Sequence, residues 1–313
     1  MKGILRGICT SKKKGTQKVQ VPQAYLREGH GIEGDAHAGN WHRQVSLLAL
    51  EKIEAFREKG ADVDFGAFGE NLIIEGFDLR ALPVGTRFKV GEDALLELTQ
   101  IGKECHSRCA IYHQVGDCIM PREGVFTIVL HSGTVKTGDA VEMIPADPDR
   151  PFTAAVITLS DKGYRGERED TSGPAVVKIL EENGYQVVET MILPDTQAML
   201  ERQLIRLADQ RQVNLILTSG GTGFSERDVT PEATMHVATR NAPGIAEAIR
   251  AGSMQITRRA MLSREVSVIR NQTLIVNLPG STKAVIESLG FVIDQFDHGL
   301  KILTGRDGEC GRH

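Results

Sequence analysis

The chain has 313 residues, 41% hydrophobic and 25% charged, with a formal net charge of −4 that its two halves share evenly. That is an ordinary globular composition, long enough for two buried cores, and its mild acidity excludes a nucleic-acid binder held by charge. The longest apolar runs, such as residues 45–50, fall far short of the roughly 20 residues a membrane span needs, and the basic N-terminus has no apolar stretch behind it, so the expectation is a cytoplasmic protein without membrane contact.

In chain order, residues 3–10 and the segments ending at Val21, Leu48, Ile74, Val90, Leu98, Val129 and Met143 are short, often alternating, and separated by Gly, Asp and Pro turns. This pattern predicts a mostly β, barrel-like domain with one helix near Ala49–Lys59. Gly85-Thr86, Gly91-Glu92-Asp93 and Gly138-Asp139 are expected as hairpin corners. Lys12-Lys13-Lys14 reads as a solvated loop. Two polar stretches interrupt the scaffold. Gly34 to Val45 gathers His37, His42, Arg43 and the only tryptophan, Trp41, in a loop, where binding groups tend to sit. Residues 102–126 carry Cys105, Cys109 and Cys118 with His106 and His113. Thiolate and imidazole suggest zinc, but the spacing lacks paired Cys-x₂-Cys knuckles. A single reactive thiolate beside Lys103 and Arg108, binding a soft metal or carrying sulfur, is the other reading, and Cys9 and Cys118 read as plain buried cysteines.

The order Gly-Asp-x-His-Ala-Gly, Arg-Gln-Val, Phe-Gly-Glu-Asn-Leu (68–72), Leu-Pro-Val-Gly-Thr, Leu-Glu-Leu-Thr-Gln-Ile-Gly-Lys-Glu-Cys-His and Cys-Ile-Met-Pro-Arg-Glu-Gly-Val-Phe resembles the MOSC domain over residues 1–145. MOSC is the β-rich module of molybdenum cofactor sulfurases and amidoxime reductases. The resemblance implies that Cys105 is the functional thiol and a molybdenum ligand.

Residues 146–151, proline-punctuated, form a stiff linker, and the pattern then changes. Thr153–Leu159, Gln186–Leu193, Leu215–Thr218 and Leu274–Asn277 read as strands, and Thr171–Asn183 and Thr196–Gln210 as helices between them. Such alternation predicts an α/β three-layer domain on a parallel sheet, with ligands beyond the carboxyl ends of its strands. Those ends carry Asp161, then Asp195, then Ser219-Gly220-Gly221-Thr222-Gly223 with Asp228, and finally Gly280-Ser281. Glycines that leave backbone N–H groups bare suit phosphate, and aspartates beside phosphate call for a hard cation such as Mg²⁺. The absence of Lys-Ser or Lys-Thr after the last glycine excludes a P-loop kinase.

Residues 152–304 resemble the MogA/MoaB family of molybdopterin-binding proteins. The match runs in order through Ser160-Asp161, Asp170-Thr171-Ser172-Gly173-Pro174, Pro194-Asp195, Thr218 to Gly223, Arg227 to Ala233, Gly244-Ile245-x-Glu247, Leu262-Ser263-Arg264 and Asn277 to Gly280. By that resemblance the domain adenylylates molybdopterin with Mg-ATP and assembles as a trimer or hexamer. Asp195 and Asp228 would carry Mg²⁺ and activity, and the Ser219–Gly223 loop with Gly280 and Ser281 would hold phosphate. Asp161 and Glu247 would lie in the pocket. Other molybdenum cofactor enzymes are candidate partners. A pterin carrier without turnover, or a molybdenum-dependent oxidoreductase with a loading domain, are the alternative readings. Residues 305–313, with Cys310, read as a flexible tail.

Overall fold

In β1 (Lys2–Thr10) every second residue from Gly3 to Gly7 is buried, the period of a strand with one face on a core. A computed structural model describes residues 2–104 and 116–306, and the chain divides between Asp147 and Pro148 into two units.

The first unit continues through β2 (Val19–Val21), β3 (Gln23–Arg27), β4 (Gly31–Ile32), β5 (Val45–Ala49), β6 (Leu72–Glu75), β7 (Arg87–Val90), β8 (Ala94–Ile101), β9 (Val125–His131), β10 (Gly133–Lys136) and β11 (Ala140–Ile144). Helices α1 (Leu50–Arg57) and α2 (Met120–Glu123) interrupt them. The sheet runs β11-β7-β8-β9-β5-β6-β1 and closes because β11 also pairs with β1, giving a seven-stranded barrel with β2 beside β1. Closure removes the sheet's free edges. Leu5, Leu47, Leu72, Phe88, Leu96 and Val141 fill it. Gly91 to Asp93 turns β7 into β8 as expected, whereas Gly138-Asp139 joins two strands that do not pair: β10 belongs to a small separate sheet with β3 and β4.

The second unit comprises β12 (Thr153–Leu159), α3 (Asp161–Tyr164), α4 (Ser172–Glu182), β13 (Gln186–Leu193), α5 (Gln197–Ile205), β14 (Leu215–Ser219), α6 (Thr230–Val237), β15 (Arg240–Asn241), α7 (Pro243–Ile256), β16 (Ser267–Arg270), β17 (Thr273–Leu278), α8 (Thr282–Gly290) and α9 (Ile293–Thr304). Alternate residues of one strand enter different cores. Val156, Leu217 and Val276 pack with α4, α8 and α9, while Ala155, Ile157, Ile216 and Ile275 pack with α5 and α6. Both faces are covered, which explains why these strands read as continuous apolar runs. The sheet order is β13-β12-β14-β17-β16-β15. Its first four strands are parallel, and β16 and β15 add an antiparallel edge through a tight turn at Asn271, whose φ of +52° suits asparagine. Among the described residues no helix is long and apolar enough to cross a membrane.

The Glu70 carboxylate is fully enclosed in the barrel unit. Glu70 accepts from the backbone N–H groups of Gly66 (2.7 Å) and Phe68 (3.0 Å), with the Cys9 thiol and Lys18 ammonium facing it. Burial pushes its carboxyl up to about 6, although the two amides and Lys18 work the other way. A group that binds its proton more tightly folded than unfolded stabilises the fold as pH drops through that value. The barrel unit therefore gains stability, about 2 kcal/mol at most, between pH 6 and the ordinary value of 4.5. Denaturant unfolding followed by the single Trp41 should show this gain, and Glu70→Gln should flatten it.

Candidate functional site

The parallel register brings four strand ends onto one edge: Leu159 lies opposite Leu193, Thr158 opposite Ser219, and Ser219 opposite Leu278. The residues that leave those strands line one cleft of about 730 Å³, including Asp161, Asp195, Gly220, Gly221, Asp228, Gly280 and Ser281. Seven of the residues expected from the sequence thus come together. Ser219 and Thr222 lie buried behind them, with the Ser219 hydroxyl donating to the Pro279 carbonyl at 3.2 Å. Gly223 packs against the Asp228 carboxylate. Glu247 does not join them: it is an exposed residue of α7 and does not line the cleft.

Gly220 and Gly221 hold φ of +98° and +64°, the left-handed region that glycine enters without strain. A side chain on Gly220 would also strike the Leu159 carbonyl. The turn is closed by Thr230, whose hydroxyl donates to the Gly220 carbonyl at 2.9 Å and whose N–H donates to Gly221 at 3.1 Å. Among the described residues, the N–H groups of Gly221, Thr222 and Gly223 have no hydrogen-bond acceptor. Arg264 clamps the same loop, donating through its backbone to Thr222 (2.9 Å) and through Nε to Gly223 (2.6 Å) and pairing with Glu232.

Two helices point their N-termini at the cleft. Thr171, just before α4, and Thr282, first residue of α8, share a hydroxyl hydrogen bond of 2.6 Å. Partial positive charge from both helices therefore meets at one place, suited to an anion. Asp170 caps α4, accepting from the N–H groups of Ser172 and Gly173 (both 3.0 Å) and from the Thr158 hydroxyl (2.7 Å). Burial opposes its charge, yet these donors hold its carboxyl below the usual range.

The remaining aspartates interact with each other. Asp161 donates its N–H to Asp195 Oδ2 at 3.3 Å, and Asp195 returns the contact to Asp161 Oδ1 at 3.1 Å. Arg227 pairs with Asp161, and Ser225 N–H donates to Asp228 at 2.9 Å. Burial raises the Asp195 carboxyl above its ordinary range, and the Asp161 and Asp228 charges push the same way, against the Asp161 amide and Arg227. Neither Asp195 nor Asp228 has an ion pair among the described residues. Two like charges in a cleft without their own counter-ion fit Mg²⁺, which commonly takes one or two carboxylates and completes its shell with water and phosphate oxygens. Among the described residues there is no group of three or more His, Cys, Asp or Glu that could hold a metal ion.

Sequence reasoning passed over Arg227, Asp170 and Arg264 as site residues. An arginine next to a catalytic-type aspartate and an Asp-Thr-Ser-Gly helix start were the available signals.

In the barrel unit the Gly34–Val45 loop is fastened from inside. Lys18 Nζ lies 2.6 Å from Asp35 Oδ2 and 3.2 Å from His37 Nδ1, with both ends of the ion pair buried. Burial lowers the Lys18 ammonium and opposes the Asp35 charge, but hydrogen bonds from His37 and Lys18 keep Asp35 well below the usual carboxylate range. Trp41 donates to the His37 carbonyl at 2.8 Å, and Arg43 sits between the Trp41 and Phe126 rings, 4.7 and 5.5 Å from their centres. His42 meets Gln100 at 2.9 Å. Cys9 and Cys118 are buried, and burial pushes the Cys9 thiol up to about 12, which leaves it unreactive. Cys105, Cys109, His106, His113 and Cys310 lie outside the described residues.

Residues 155–298 match the family described as a probable molybdopterin binding domain, and residues 34–142 match the MOSC domain. The molybdopterin adenylyltransferase of Escherichia coli (strain K12) is 42% identical over 142 residues, 44% of this chain and 72% of that protein. That of Helicobacter pylori (strain J99) is 37% identical over 152 residues, 48% of this chain and 86% of that protein. Among solved structures, the molybdopterin biosynthesis enzyme MoaB from Thermus thermophilus is 43% identical, covering 49% of this chain and 97% of that one, with a TM-score of 0.48.

The Asp170 cap is directly testable. Asp170→Ala removes the acceptor that starts α4 and should lower the stability of this unit by about 1–2 kcal/mol in thermal unfolding. Asp170→Asn, which keeps one acceptor oxygen, should recover part of that loss.

Proposed function

Because this chain belongs to the molybdopterin adenylyltransferase family through its second unit and carries a MOSC domain in its first, we propose that the second unit transfers the adenylyl group of ATP to the terminal phosphate of molybdopterin. An oxygen of that phosphate attacks the α-phosphorus of ATP, the bond from that phosphorus to the bridging oxygen breaks, and pyrophosphate leaves. The observation that carries this reading is the meeting of the strand-end aspartates, the Gly220-Gly221 turn and two helix N-termini in one cleft.

Each part has a task. The bare N–H groups of the Gly221–Gly223 loop and the N-termini of α4 and α8 hold phosphate oxygens, so two anionic reactants are placed together. Asp195 and Asp228 would hold Mg²⁺, which when bound offsets triphosphate charge. Arg227, exposed and paired with Asp161, keeps that carboxylate in place beside Asp195. Arg264 fixes the loop by donating to the Thr222 and Gly223 carbonyls.

The barrel unit is proposed to bind the molybdenum form of the cofactor through Cys105, handling sulfur or passing the cofactor onward. The fastened loop with His37, Trp41 and Arg43 supports a binding role. Joining two modules that act on one ligand raises the local concentration of product at the second site. Homo-oligomerisation through the second unit, as a trimer or hexamer, belongs to the same proposal. The exposed Met254, Ile256, Met261 and Leu262 give it an apolar surface. A cytoplasmic setting accords with the buried Cys9 thiol.

Incubating the full chain with Mg-ATP and molybdopterin should release pyrophosphate and form the adenylylated pterin. Bound pterin with neither product would instead mark a carrier. Asp195→Asn and Asp228→Asn should each lower the rate by about a hundredfold or more. Since burial and its neighbours disfavour the Asp195 charge, Asp195→Asn should unfold at an equal or higher temperature than the parent at neutral pH. Loss of rate together with loss of stability would contradict that assignment.

A further inference from the structure

The loop between α3 and α4, residues 165–171, is fastened at both ends. The Gly166 N–H donates to the Gly163 carbonyl at 3.0 Å and the Glu167 N–H to the Lys162 carbonyl at 2.8 Å, with Gly166 in the left-handed region at φ +73°. At the far end the Asp170 carboxylate accepts from the first amides of α4. Arg168 stands between these anchors and lines the cleft. Its Nη2 donates to the Ser160 hydroxyl oxygen at 3.0 Å, and the same oxygen accepts from the Gly163 N–H at 3.0 Å. Ser160 is buried just past the end of β12, and the next residue, Asp161, is the one that exchanges hydrogen bonds with Asp195. The guanidinium is thus tied to the residue beside that aspartate pair.

Its choice of partner is informative. Asp161, Asp195 and Asp228 line the same cleft, and an arginine gains more from a carboxylate than from a neutral hydroxyl. Arg227 pairs with Asp161, and Arg165 pairs with Glu167 at 2.7 Å, yet Arg168 has no ion pair among the described residues. One N–H of its fork is engaged by a neutral oxygen, and its charge and other donors remain open to a ligand. A planar fork in that state matches two oxygens of one phosphate.

Resting on the adenylylation reading above, we propose that Arg168 is a catalytic residue whose guanidinium grips phosphate oxygens on the Asp195 side of the cleft, with Ser160 as the positioning residue that holds it there. The glycine turn and the helix N-termini offer phosphate only partial charges. Arg168 adds a full positive charge, where negative charge shifts over the phosphoryl oxygens as the bond to the bridging oxygen breaks.

The test uses the full chain and steady-state turnover of Mg-ATP and molybdopterin. Arg168→Ala changes an exposed residue, and Arg165→Gln removes the same charge from the same loop at a residue that does not line the cleft. Arg168→Ala should lower kcat/KM about a hundredfold, Arg168→Lys, which keeps the charge without the fork, about tenfold, and Arg165→Gln by no more than about twofold. Added guanidinium ion should restore part of the Arg168→Ala rate, a response that a merely structural role does not give. Activity of Arg168→Ala within twofold of the parent, or a loss that Arg165→Gln matches, overturns the proposal. A loss shared in full by Arg168→Lys and untouched by guanidinium ion also overturns it, since the residue would then only hold its loop. Should the parent turn nothing over, the adenylylation reading falls, and titration calorimetry with Mg²⁺ and inorganic tripolyphosphate decides the phosphate grip alone. Affinity about fivefold or more weaker in Arg168→Ala supports the grip, and equal affinity overturns it.

Discussion

The parallel pairing of β12, β13, β14 and β17 is the constraint on which the candidate site depends. In a parallel sheet each strand leaves at the same edge, so chain segments more than a hundred residues apart deliver their next few residues to one place. Asp161, Asp195, the Gly220-Gly221 turn and Gly280-Ser281 are those next residues. The two cores that cover the sheet faces hold the strands in register, and slippage of any one would move its loop out of the cleft.

The same edge concentrates opposed electrostatic elements. Asp161, Asp195 and Asp228 repel each other in a partly buried cleft, while helix N-termini and amides beside them attract anions. Arg227 pairs directly with Asp161 and only partly offsets the charges around Asp195. This arrangement is uncomfortable for an empty protein and suited to a ligand that brings negative phosphates together with a divalent cation. The fold tolerates the repulsion because the rigid α/β scaffold stabilises it independently of the site, a pattern expected where stability is given up locally for function.

Much of the second unit was legible in the chain. The strand Thr153–Leu159 ends where its apolar run ends, since both of its faces are buried, while the edge strand Gln186–Leu193 was read from its β-branched residues despite Glu189 and Thr190. The antiparallel edge was not read, because β15 has two residues and β16 four, too short to leave a period. The expected helix Thr196–Gln210 loses its α-geometry at Arg206, where a wider turn leads to Arg211. In the first unit the barrel was legible from alternation and turn residues. The buried Lys18–Asp35 pair was not, since a lysine beside a basic run carries no mark of its burial. Glu247 was assigned by resemblance, and it is an exposed residue of α7 that does not line the cleft. Residue matches carry chemistry across relatives, but the position of a side chain depends on packing.

The central claim is that Asp195 and Asp228 grip one divalent ion against a nucleotide held by the glycine turn. Electron paramagnetic resonance with Mn²⁺ in place of Mg²⁺ reads this directly. The account predicts that protein-bound Mn²⁺ appears when ATP is added and is lost in the Asp195→Asn, Asp228→Asn double variant, whose fold is intact by circular dichroism. The same bound Mn²⁺–ATP signal in that double variant would contradict it.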